Sequence, residues 1–204
     1  NKGGVTLTIN SVEDYEGNYY DGTAAWDYAS RNIGAVGNSI KVVVIDSGAN
    51  QQVTLAGAIQ SAGVQAGSLI QNSAGTKSAY IHKITGSTVV DVIWVSGGAW
   101  TTSDLVDDGS NPDVAITAVA DWYDSQMITP TLNWNQVAPQ PGTSVHVAER
   151  GGSNDEMHIV VVDVDGGVTG TPNTVLEKFL YVSKASDGKS AEGSLVYYPE
   201  VILN

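Results

Sequence analysis

Val5, Leu7 and Ile9 alternate with Thr6 and Thr8, a period of two that predicts a half-buried strand. Residues 13–22 are rich in turn formers. Thr23 then stands where an N-cap belongs, and Ala25, Tyr28 and Ala29 fall on one side of a short predicted helix over 24–32. Gly34 and Gly37 end it. The run SIKVVVID, 39–46, is a second and more deeply buried strand.

From Ser47 the texture changes. Gly, Ala, Ser and Asn become frequent and the apolar runs shorten. Within this region KSAYIHKITGSTVVDVIWV, 77–95, has two β-rich arms that meet at Gly86-Ser87, a pair suited to a two-residue hairpin turn. The stretch ends in the turn-rich DDGSNPD, 107–113. Residues 47–111 are therefore expected to form a small β-rich, barrel-like inserted domain.

Beyond it, Asn111 as N-cap, Pro112 at the first helical position and Asp113 in the first turn predict a helix to about Met127. Ala115, Ala118, Val119 and Trp122 follow helical spacing within it. TLNWNQVAP follows Pro130. PGTSVHVAE, 141–149, reads as a strand that pairs across 150–155 with EMHIVVVD, 156–163. Ile159 to Val162 lack a polar face, so both sides of that strand are expected to be covered. A last helix is predicted over 173–181, then a turn at SDGKSAEG and a strand at SLVYY, 194–198. The pattern as a whole is α+β: a mixed-sheet body with flanking helices, residues 1–46 and 112–204, carrying the barrel-like insertion 47–111.

Charge narrows the functions open to such a chain. Nine Lys and Arg against 22 Asp and Glu leave a net charge of -13 over 204 residues. Nucleic-acid binding needs clustered cations that displace counterions from phosphates, and anionic lipid surfaces need polybasic segments. The chain has neither. No run of 18 apolar residues predicts a membrane span. The absence of Cys excludes thiol chemistry and disulfides. The chain begins Asn1-Lys2-Gly3-Gly4, with neither an initiator Met nor a signal pattern, and is expected to be an excised piece.

Candidate chemistry is sparse. Asp163-Val164-Asp165-Gly166 invites comparison with a calcium loop, which needs oxygen ligands at its first, third and fifth positions and a carboxylate at its twelfth. With Asp163 and Asp165 third and fifth, the first position is Val161 and the twelfth Pro172. Asp165-Gly166-Gly167 reads instead as a turn at a strand end. His146 and His158 fall on the two strands expected to pair, but zinc requires a third and fourth ligand in a fixed shell, and His82 has no evident partner. They are read as strand histidines, not ligands. No Ser sits in a G-x-S-x-G elbow, and the Gly pairs make neither a dinucleotide fingerprint nor a P-loop. No catalytic, cofactor or metal residue is assigned, and the chain is not read as an enzyme. A second reading of another class treats it as a carbohydrate-binding or Ca-stabilised β-rich recognition module of a virion or extracellular protein. Its ligand surface would lie near Trp94, Trp100 and the Asp104, Asp107, Asp108 cluster.

Two stretches carry more specific patterns. SRNIGAVGNSIKVVVID, 30–46, contains Arg-x-x-Gly-x-x-Gly-Asn-x-Ile-x-Val. The stretch from WYDSQ at Trp122 to YYPEVI at Ile202 contains Asp-Glu-x-His, 155–158, and then Asp-Gly-x-x-Thr-Gly followed by Val-Leu-Glu, 165–177. Together they resemble the tail sheath protein of contractile-tailed bacteriophages, over about half the chain. The resemblance implies a structural, non-enzymatic subunit that polymerises as six-membered rings around the tail tube and contracts during infection. It implies other sheath subunits and the tube as partners, and a place in the virion after synthesis in the host cytoplasm. It also implies that the chain is a middle piece without the inner C-terminal portion, whose arms add strands to neighbouring subunits, so that this piece alone is expected to be monomeric.

Overall fold

The computed structural model describes residues 10–18, 35–59, 63–109 and 112–203. The predicted strand at 5–9, the helix at 24–32 and the cap Asn111 lie outside them. The described chain divides into two compact units, one built from the segments before Ile45 and after Glu156, the other from Ile45–Glu156.

In the first unit, β1 (Ile40–Asp46, its last two residues past the division), β10 (Glu156–Asp163, entered from the second unit at Glu156) and β11 (Thr174–Ser183) form a three-stranded sheet in the order β1-β10-β11. The central strand is buried from Met157 to Val160 and again at Val162 and Asp163, as its unbroken apolar run predicts. Met157, Ile159 and Val182 form a core against Val42, Phe179 and the helix α3 (Tyr198–Leu203). A short helix, α1 (Val12–Asn18), forms in the described part of the turn-rich stretch 13–22. Ser11 accepts from the Asp14 amide at 3.0 Å and Asp14 accepts from the Asn10 amide at 2.8 Å, a reciprocal cap that nucleates it.

The predicted helix over 173–181 is instead the strand β11. Thr174 and Val175 open it with β-branched side chains, and pairing with β10 supplies the backbone partners that a lone amphipathic helix would make internally. The predicted strand at 194–198 is reduced to single bridges, Lys189 with Leu195 and Ser183 with Tyr197, before α3 begins.

The second unit is organised by a closed barrel of six strands in the order β2 (Gln51–Leu55), β5 (Val89–Ser96), β4 (Ser78–Thr85), β3 (Leu69–Asn72), β6 (Leu105–Asp107) and β7 (Val114–Asp121). Val53, Ile70, Ile81, Val90, Val92, Val106 and Ile116 point inward around Trp100. They fill the interior and leave no room for a water molecule. The hairpin of β4 and β5 forms where expected, but Thr85 pairs with Val89, so three residues make the turn and Gly86 takes φ +62°.

The largest departure from the sequence pattern is β7. Within the stretch expected to be a helix from Asn111 to Met127, residues 114–121 are extended, with Val114 and Ile116 inward and Ala115 and Thr117 outward. Alanine-rich AITAVA fits either period, and pairing on both sides decides: Val53 lies opposite Val119 and Leu105 opposite Ala115. Only a short 3-10 turn, Tyr123–Ser125, follows. The barrel thus extends past the expected boundary at residue 111, and the division of the chain falls at 156/157.

β8 (Met127–Thr129) and β9 (Leu132–Asn133) make a small hairpin. The predicted strand over 141–149 is instead the helical turn α2 (Val145–Ala148), capped by Ser144, whose hydroxyl accepts from the Val147 amide at 3.3 Å. The expected pairing of 141–149 with 156–163 is reduced to one backbone bond among the described residues, from the Glu156 amide to the Gly142 carbonyl at 3.1 Å. Serine at an N-cap won over the β-branched pattern of Val145 and Val147. Among the described residues no helix is long and apolar enough to cross a membrane.

Candidate functional site

The polar residues singled out by sequence resolve into four places, and each is built around backbone.

The first is the end of β10. Asp163 is fully buried, and its carboxylate accepts from the Ser39 hydroxyl on one oxygen. The other oxygen accepts from the Val168 amide at 3.0 Å, the Thr169 amide at 2.7 Å and the Thr169 hydroxyl at 2.9 Å. Ser39 in turn accepts from the amides of Asp165 at 3.3 Å and Gly167 at 3.0 Å, and its carbonyl accepts from Val164 at 2.7 Å. Burial alone pushes this acid up, but donation from Ser39, Thr169 and Val168 outweighs it and holds the carboxyl well below the usual range. Asp165 is exposed, so the two aspartates do not converge. The turn reading of Asp163-Val164-Asp165-Gly166 is the one the geometry fits. Ser39 carries no motif signal that sequence reasoning could have used, because its partner is 124 positions away.

The second place holds the histidines, which do not face one another. His146 lies in α2, where its carbonyl accepts from Arg150 at 2.8 Å. His158 is fully buried in β10, and its Nδ1 accepts from the Tyr181 amide at 3.0 Å. The Tyr181 ring stands edge-on to the imidazole at 4.5 Å, and Tyr181 adopts φ +55°, rare for a bulky residue. His82 lies edge-on to Trp122 at 5.8 Å. Among the described residues no three His, Asp or Glu side chains are grouped so as to hold a metal ion.

The third is the surface proposed for a saccharide or calcium. Trp100 is inside the barrel core and offers no face to a sugar. Its amide donates to Gln51 at 2.9 Å, its carbonyl accepts from Gln51 at 2.8 Å, and Trp94 donates its indole N–H to the same Gln51 at 3.2 Å. Gln51 thus clamps both tryptophans to β2. Asp104 accepts from Asn72 at 3.0 Å on one oxygen, and from Lys77 at 2.7 Å and Thr101 on the other. Burial raises this acid, and Lys77, Thr101 and Asn72 together bring it well below the usual range. Asp107 accepts from the Gly109 amide at 2.9 Å, and Asp108 is buried.

The fourth is the Asp-Glu pair that opens β10. Asp155 accepts from the Ser144 amide at 2.8 Å and hydroxyl at 2.9 Å, and Glu156 accepts from the Gly142 amide at 3.0 Å. Both carboxylates therefore brace the start of α2. None of the four places combines a nucleophile, a base and an open cleft, and what the arrangement does chemically is to hold loops to strands. No protein-family model, curated protein or solved structure matches the chain.

Proposed function

We propose that the chain is a structural subunit of a contractile bacteriophage tail sheath, polymerising around the tail tube and contracting during infection. The observation that carries this reading is the use of the motif residues. Asp155, Glu156, His158 and Thr169, the polar residues of the Asp-Glu-x-His and Thr-Gly elements, each hold backbone or another buried carboxylate. Ser39, an unspecified position within the Arg-x-x-Gly-x-x-Gly-Asn-x-Ile-x-Val element, meets Asp163, the carboxylate that Thr169 also holds. Within each unit these residues brace the backbone or a buried carboxylate, a use that fits a load-bearing subunit better than a catalytic site. The partners of this reading are other sheath subunits and the tail tube, and its location is the virion.

Immunogold electron microscopy with antibodies raised against the chain, on virions from cells that carry its gene, tests the assignment. Label spaced along the length of the tail, shortening with it on contraction, is the expected result. Label confined to the capsid, baseplate or fibres, or absent from virions, overturns it.

A further inference from the structure

We draw no further inference here: the strongest candidate, the row of exposed apolar side chains Leu69, Tyr80 and Ile93 aligned in register across the outer face of β3, β4 and β5, carries nothing because no feature of the structure shows what covers it.

Discussion

Ser39 and Asp163 stand 124 positions apart in the chain, and the serine hydroxyl donates to the buried carboxylate that closes β10. This contact ties the entry to β1 to the exit of the strand paired beside it. Replacing Ser39 by Ala leaves a buried carboxylate oxygen short of a donor and frees the amides of Asp165 and Gly167, at a cost of about 1–3 kcal/mol. Asp163→Ala removes the acceptor of the bonds from Ser39, Val168 and Thr169 and is expected to destabilise more than Ser39→Ala. Urea unfolding followed by circular dichroism ranks the two. The reverse order would show that the carboxylate is not the hub.

The same carboxylate sets an acid limit. Asp163 and Asp104 are both held well below the ordinary value of 3.8. As pH falls, the unfolded chain binds these protons before the folded one, so the stability each contributes is full above that value and is lost as pH drops below it toward the native values. Thermal melts between about pH 2 and 6 are expected to show falling stability at the acid end, with a shallower slope in Asp163→Asn. An unchanged slope would assign the acid sensitivity to other groups.

The two histidines are expected to behave differently. His146→Ala, at a half-buried position on a short helical turn, should fall within about 0.5 kcal/mol of the parent. His158→Ala removes a buried ring and orphans the Tyr181 amide, and should cost about 2–4 kcal/mol. Equal effects from both, read from denaturation midpoints, would contradict the placement of His158.

Inside the barrel, the Trp100 indole N–H is buried without a partner among the described residues. Trp100→Ala opens a cavity and should cost about 3–5 kcal/mol. Trp100→Phe also loses volume, but it removes the unsatisfied donor, and is expected within about 1 kcal/mol of the parent. At the rim, Gly97 has φ +73°, and a Cβ there overlaps the Thr76 carbonyl. Gly97→Ala should therefore cost about 2 kcal/mol or more. Chemical denaturation measures all three variants. A Phe variant as damaged as the Ala variant would show that shape at Trp100 matters more than its stranded N–H.

Assembly can be tested on the chain itself. A net charge of -13 makes close approach of like copies repulsive. The 204-residue chain is expected to sediment as a monomer at micromolar concentration, with no interface reaching the ~1,000 Å² that persistent association requires. Rings or filaments in sedimentation velocity at moderate salt would place the polymerising contacts within these residues.

The sequence by itself determined the elements whose signal is local and one-sided. Ile40–Asp46 and Glu156–Asp163 are apolar runs rich in β-branched residues and both are strands, but only the second is covered as expected; in the first Ile45 alone is buried and Val44 is exposed. The arms on either side of Gly86 are rich in β formers and form the expected hairpin, β4 with β5, within the barrel. Residues 114–121 and 174–181 satisfy helical and extended periods alike, and the choice fell to partners far away in the chain: β2 and β6 for the first, β10 for the second. Those partners supply backbone hydrogen bonds along a whole strand edge, which outweighs the few tenths of a kcal/mol per residue that helix propensity contributes. Ser144 shows the opposite case, since a single cap bonded to Asp155 turned an alternating segment into a helix. The polar contacts were the least legible. Asp163 is the end of a strand in sequence, but its burial and its donors come from Ser39 and from the loop at Thr169, which only chain folding brings within hydrogen-bonding distance.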